Sequence, residues 1–186
     1  MDAYADALAR GLQPGREALW WLSWPPAYRD VIAEVVPGTA GADAALVWAI
    51  MREESHYRPD ARSVVGARGL LQLMPDTAAQ LAGERGMSDF AEADLFDPRT
   101  NITLGAAYLA DLSRRFDGRR SAAIGSYNAG PRKVAAWLEG GGSALEDDVW
   151  VEAIPYDQTR GYVKRVLRSL HVYESFYGES VPARAR

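Results

Sequence analysis

Ala42-Asp43-Ala44-Ala45-Leu46-Val47-Trp48-Ala49-Ile50-Met51-Arg52-Glu53-Glu54-Ser55-His56-Tyr57-Arg58-Pro59 is a run of apolar residues that stops abruptly in charged and polar ones. It predicts a strongly apolar helix over 42–55, because Pro59 lacks the amide a helix needs and disfavours helical backbone in the residue before it. The apolar stretch 44–51 is far shorter than the roughly 20 residues a bilayer requires, so the helix belongs to a folded core. Glu54 falls at its C-terminal end. The negative end of the helix dipole disfavours a carboxylate there, and apolar surroundings disfavour it further. Both effects raise the carboxyl pKa, which suits a general acid that keeps its proton near neutrality. Taken alone, the same position reads equally well as a solvated helix end, which is how adjacent Glu53 is read.

Outward from this run the chain is predicted to be mainly α. Residues 56–74 lack a period, with Gly66 and Gly69 as turn points, and hold at most a short β-hairpin within 60–74. Pro75-Asp76-Thr77 opens a helix, and Asp97-Pro98 is a cap followed by a first-turn proline. Ile102, Ala106, Leu109, Leu112 and Phe116 then recur at helical spacing. A small-residue helix over 121–127 ends at Asn128-Ala129-Gly130-Pro131, and a shorter one carries Val134, Trp137 and Leu138. After the Gly140-Gly141-Gly142 loop, a long helix from about Asp157 carries Tyr162, Val163, Val166, Leu167, Leu170 and Tyr173. On the N-terminal side, 38–41 is a loop, Pro25 or Pro26 opens a helix to about Val36, and 2–11 and 14–22 form two short helices.

Composition narrows the function classes. The chain has 186 residues, 48% of them hydrophobic, which suits one domain with a real core. The net charge of -4 comes without a basic stripe, so no nucleic-acid partner is expected. A neutral sugar polymer remains suitable, since sugars are held by hydrogen bonds and stacking. There is no cysteine, which removes disulfides and thiol nucleophiles. His56 and His171 are the only histidines, so no histidine-rich metal site and no metal or other cofactor is expected. The first residues show no basic region followed by an apolar run, so no signal peptide and no transmembrane segment is read, and a monomer is expected.

Four blocks carry a resemblance. Arg52-Glu53-Glu54-Ser55 is followed by Pro59, Ala61 and Ser63, and then by Gly66-Ala67-Arg68-Gly69-Leu70-Leu71-Gln72-Leu73-Met74-Pro75-Asp76-Thr77-Ala78. Tyr127-Asn128-Ala129-Gly130-Pro131 comes next, then Glu152-Ala153-Ile154-Pro155-Tyr156 with Thr159-Arg160-Gly161-Tyr162-Val163. In content, order and spacing this resembles the catalytic domain of the soluble lytic transglycosylases over roughly residues 25–178, and several long motifs in order are far more specific than one. The resemblance implies a lysozyme-like helical domain of the goose-type kind. Residues 1–24 would be a helical extension, a remnant of a helical superhelix, and 179–186 a loose tail.

The resemblance also assigns roles. It implies that Glu54 is the catalytic acid/base, that Gln72 hydrogen-bonds substrate, that Tyr127 positions the site and a sugar, and that Asn128 shapes the loop. Glu152 would line the cleft, Tyr156 and Tyr162 would pack or stack nearby, and Ser63 and Met74 join the substrate-binding set. Other readings stand beside these. Gln72 can merely satisfy its own loop, Met74 serves equally as core filler or cleft floor, and helical spacing favours Tyr162 as a core aromatic. Trp20, Trp21 and Trp24 read as packing for an N-terminal element more than as sugar platforms. Three positions depart from the family pattern: Leu71 for methionine, Ser126 for alanine, and Gln158 for a glutamate, the last expected to loosen an ion pair at Arg160.

The implied substrate is the glycan strand of peptidoglycan, cleaved between N-acetylmuramic acid and N-acetylglucosamine, with a 1,6-anhydro end as product. The implied location is the periplasm or cell envelope. Ordinary glycosidases use two carboxylates, and Asp60, Asp76, Asp97 and Glu152 are the candidates for a second one. Two alternatives remain at this stage, a goose-type-lysozyme-like hydrolase and a peptidoglycan-binding module without turnover.

Overall fold

A computed structural model describes residues 22–177. The expected helices over 2–11 and 14–22, Trp20, Trp21, most of the 1–24 extension and the 179–186 tail lie outside the described residues. The chain between is helical: α1 (Arg29–Val35), α2 (Ala44–Ser55), α3 (Pro75–Glu84), α4 (Pro98–Arg115), α5 (Arg120–Ala129), α6 (Pro131–Glu139), α7 (Asp147–Ala153) and α8 (Asp157–Tyr177), with short 3-10 turns at Glu92–Phe96 and Gly142–Ala144. The expected hairpin reduces to two isolated bridges, Arg62 to Arg68 and Arg68 to Leu73, and no strand forms among the described residues.

Local chemistry sets the boundaries. α2 begins at Ala44 rather than 42 because the Asp43 carboxylate accepts the Ala45 and Leu46 amides at 2.8 and 3.2 Å. α1 begins at Arg29 and not at Pro25 or Pro26, because Tyr28 ahead of it holds a left-handed backbone with φ 54°. The Asp97-Pro98 signal works as read, with Asp97 accepting the Thr100 amide at 2.8 Å. α7 and the Glu92–Phe96 turn were not anticipated.

Every residue of α2 from Ala45 to Met51 is buried, so this helix is surrounded on all sides. α8 lies along it, presenting Tyr162, Val163, Val166, Leu170, Tyr173 and Tyr177 at helical spacing; α4 packs on α2 as well, and α5 joins the same core by packing on α8 and α4. A smaller apolar cluster of Leu73, Ala78, Leu81, Ala82, Leu95 and Leu104 sits beneath α3. Tyr108 and Tyr127 pack against both clusters and mark the seam between them.

Side chains of α2 and α8 grip the incoming chain by its carbonyls. Arg52 donates to Ser23 at 2.7 Å, Tyr177 to Trp24 at 2.8 Å, Tyr173 to Pro25 at 3.1 Å and Trp48 to Ala27 at 2.8 Å. Trp24 packs edge-on against Tyr173 and lies 3.9 Å beneath the Arg52 guanidinium, a packing use as the sequence suggested.

Candidate active site

α2 ends one residue after Glu54, and His56 and Tyr57 both take left-handed backbone, φ 51° and 63°, which swings the chain sharply away. Glu54 is left half-buried at this corner. Its Oε1 accepts one hydrogen bond, from the Tyr162 hydroxyl of α8 at 2.6 Å. Burial pushes the Glu54 carboxyl up from 4.5 to about 7; the Tyr162 hydrogen bond works against this shift and the negative charge of Glu53 adds to it. Burial is thus the leading cause. Glu53 is not the solvated residue the sequence suggested. It is half-buried and tied to α8, accepting from Arg165 Nε at 3.1 Å and Ser169 Oγ at 3.0 Å. Burial also pushes the Tyr162 hydroxyl well up, reinforced by the Glu54 charge, so it stays protonated and can only donate to an ionised Glu54.

The irregular segment after α2 is fixed by side chains bonding to its backbone. Ser55, fully buried, donates to the Leu70 carbonyl at 2.7 Å and so fastens the end of α2 to this segment. Asn101 of α4, also fully buried, accepts from the Leu71 amide at 2.8 Å and donates to the Arg68 and Leu95 carbonyls at 3.0 and 2.8 Å. Gly69 permits this arrangement: at φ 75°, a Cβ there would sit 2.1 Å from the Leu95 oxygen and 2.3 Å from Asn101 Nδ2. The Tyr127 hydroxyl donates to the Leu71 carbonyl at 2.6 Å. Leu71 itself, one of the departures, is completely buried against Gly105, where even a methyl group would collide with it.

The predicted site residues divide into two groups. Gln72, Met74, Tyr127 and Asn128 line one hollow of about 270 Å³, together with Tyr108 and Gly130. Gln72, at φ 46°, gives its Nε2 protons to the Ala61 and Gly69 carbonyls at 3.1 and 2.8 Å, which leaves its Oε1 for an outside donor. Met74 is 43% exposed, which favours cleft surface over core filler. Asn128 Oδ1 accepts from Thr159 Oγ1 at 2.9 Å, joining the end of α5 to the start of α8. Ser63 lies on the rim segment, where its Oγ accepts the Ala67 amide at 2.9 Å.

Glu152 and Tyr156 lie apart from that hollow. Glu152 is exposed and paired with Lys164 at 2.6 Å, beside Asp148 and Val151. Tyr156, 49% exposed, stands edge-on to Trp137 with ring centroids 5.2 Å apart, and Lys133 lies 5.1 Å over its face. The ion pair expected to loosen at Gln158 is retained by another route, because Arg160 pairs with Asp157 and donates to the Ile154 carbonyl at 2.8 Å. Ser126, the remaining departure, has a buried hydroxyl without a partner among the described residues.

Tyr162, Asn101 and Ser55 carry more of this site than the sequence reading gave them. The core reading of Tyr162 holds for its ring, which is buried, but its hydroxyl reaches Glu54. The Thr159-Arg160-Gly161-Tyr162-Val163 block was the signal that could have flagged it. Asp60, Asp76, Asp97 and Glu152, considered as a second carboxylate, are all exposed, and the carboxylate whose charge bears on Glu54 is Glu53.

Residues 38–149 match the model of the transglycosylase SLT domain family. The soluble lytic murein transglycosylase of Salmonella typhimurium is 36% identical over 157 residues, 84% of this chain and 24% of that protein. The crystal structure of the 70 kDa soluble lytic transglycosylase of Escherichia coli superposes with a TM-score of 0.81 at 35% identity, covering 86% of this chain and 26% of that one. An inactive glutamate-to-glutamine mutant of lytic transglycosylase Slt from Pseudomonas aeruginosa superposes with a TM-score of 0.78 at 37% identity, over 87% and 26%. The chain thus spans about a quarter of the length of these relatives. The lysozyme-like helical fold expected from the sequence is the fold observed, and with a family match over more than half its length the chain belongs to the transglycosylase SLT domain family.

Proposed function

We propose that this domain cleaves the β-1,4 bond between N-acetylmuramic acid and N-acetylglucosamine in peptidoglycan, as a lytic transglycosylase acting in the cell envelope, with Glu54 as its single acid and base. One observation carries the reading: a half-buried carboxyl whose pKa is pushed up to about 7, oriented by one tyrosine hydroxyl, with its neighbouring carboxylate Glu53 occupied by Arg165 and Ser169. Protonated Glu54 gives its proton to the glycosidic oxygen as the bond to the muramic anomeric carbon breaks. The resulting carboxylate, still held by Tyr162, takes the proton of the muramic 6-hydroxyl as that oxygen bonds to the anomeric carbon. Glu54 ends protonated, and the products are a free 4-hydroxyl on N-acetylglucosamine and a 1,6-anhydro end. Gln72, Asn128, Met74 and Ser63 would hold the sugars on the first wall, and Glu152 and Tyr156 would meet the strand farther along. No helix among the described residues is long and apolar enough to cross a membrane.

Mass analysis of fragments released from purified cell wall tests the reading. Anhydro ends are expected; reducing ends would make the protein a hydrolase, and no release would make it a binding module. Glu54→Gln should abolish release. The rate should fall by about tenfold per pH unit above about 7, where the leaving oxygen loses its proton source. The same shift sets a stability signature. A carboxyl with a raised native pKa keeps a proton that the unfolded chain has released, so stability drops as pH rises from 4.5 to about 7 and then levels off. Glu54→Gln should therefore match the wild type below pH 4.5 and exceed it by up to about 3 kcal/mol at pH 8. Equal stability of the two proteins at both pH values would show that Glu54 titrates as an ordinary carboxylate.

A further inference from the structure

Tyr162, Arg165 and Ser169 follow one another three and four positions apart on α8, which puts them on one stripe of that helix. The stripe meets the last turn of α2. Tyr162 donates to Glu54, while Arg165 and Ser169 donate to Glu53 at 3.1 and 3.0 Å. Adjacent side chains on a helix diverge by about 100°, so each carboxylate is met by its own part of the stripe.

Glu53 is held more closely than a glutamate near a helix end requires. Its side chain is only 12% exposed, against 52% for Arg165. Ser169, itself fully buried, reaches it from inside, and Arg165 from the solvent side. Gly161 makes room for that guanidinium, since a Cβ there would come within 3.3 Å of Arg165 Nη1. A carboxylate drawn under a neighbouring helix loses hydration and needs such partners. The other groups around Glu54 bring no competing charge. α8 gives Tyr162, α5 gives Tyr127, and α4 gives Tyr108 behind it. Burial pushes all three hydroxyls up, so they stay protonated. Arg52 of α2 and Arg58 of the segment after it are turned to backbone carbonyls, those of Ser23 and Ser55. Glu53 is thus the charge that bears on Glu54, and Arg165 is what balances it.

We propose that Glu53 is a positioning residue for Glu54: clasped by Arg165 and Ser169, it fixes the last turn of α2 against α8 and sets the field in which the acid holds its proton. This rests on the reading of Glu54 as the acid. Glu53 touches no reacting atom in this role and acts only through its neighbour. The two members of the pair then work in opposite senses. Removing the Glu53 charge takes away a repulsion that favours protonated Glu54, and leaves Arg165 unbalanced. Removing the Arg165 charge leaves Glu53 unbalanced and strengthens that repulsion.

NMR of isotope-labelled glutamate carboxyl carbons, with the Glu54 signal identified by its loss in Glu54→Gln, follows the titration in the folded protein. Relative to the wild type, Glu53→Gln should move the Glu54 midpoint down and Arg165→Gln should move it up, each by about half a pH unit or more. Arg165→Lys keeps the charge and should stay close to the wild type. The upper limb of the pH–rate profile on purified cell wall should move with the midpoint in each variant. A clasp that merely braces the fold would lower rate or stability while the midpoint stays put. That outcome overturns the proposal, as does a shift of the same sign in Glu53→Gln and Arg165→Gln. Titration needs no turnover, so it stands apart from the reaction. Opposed shifts in a protein that releases nothing from cell wall support Glu53 as the group that sets Glu54 and sink the reaction alone. Release with unmoved midpoints leaves the reaction standing and removes Glu53 from it.

Discussion

The segment from Ala61 to Leu73 and the corner from Asp147 to Tyr156 are opposites. The first has no helix and no strand, yet Ser55, Asn101, Gln72 and Tyr127 hold its backbone through side-chain hydrogen bonds, and Leu70, Leu71 and Leu73 are fully buried. The second includes a regular helix, α7, that buries Trp150 and Val151 but exposes Val149, Glu152 and Tyr156, with Glu152 held by a surface ion pair. What ties the first segment down is the bonding of its backbone groups by side chains, and not regular secondary structure. The wall beside Glu54 is therefore the part of the site that tolerates least change.

The largest effect is expected from Asn101→Ala. It would leave the buried Leu71 amide and the Arg68 and Leu95 carbonyls without partners, at about 1–3 kcal/mol for each group left unsatisfied, so a total loss above about 3 kcal/mol is expected. In denaturant the midpoint should drop with an unchanged slope. A loss below about 1 kcal/mol would mean that the segment holds itself and would erase the contrast. Tyr127→Phe should cost about 1–2 kcal/mol, because it frees the Leu71 carbonyl, and should lower kcat more than it changes KM, since the wall shifts while most sugar contacts persist. A rate loss with full stability would instead place the hydroxyl on the substrate. Glu152→Gln is the smallest change. Its pair with Lys164 is exposed, so stability should stay within about 0.5 kcal/mol. A rise in KM alone would support the sugar-contact role proposed for Glu152.

The same contrast explains what could be read from the sequence. α2, α4 and α8 are long, and their apolar spacing announces them. α7 and the Glu92–Phe96 turn are short and acidic, and tertiary packing at Trp150 and Leu95 holds them in place, so they leave little periodic signal. The place of Glu54 at the end of α2 was legible because the helix end and the motif coincide. Tyr162 was half legible: periodicity locates the ring but carries no information about where its hydroxyl points. Asn101 and Glu53 depend on partners 30 to 116 positions away in the chain, contacts that no local pattern encodes. Gln158 misled for a related reason, since Asp157 supplies the acid that Arg160 needs.

The grip on residues 23–27 has a mechanical side. The bonds from Arg52, Tyr177, Tyr173 and Trp48 reach the carbonyls of Ser23, Trp24, Pro25 and Ala27, so a pull at Ser23 meets the Arg52 bond first. Arg52 lies two positions before Glu54 on the same turn of α2. Tension at Ser23 is therefore passed through the Arg52 side chain to the turn of α2 that carries Glu54.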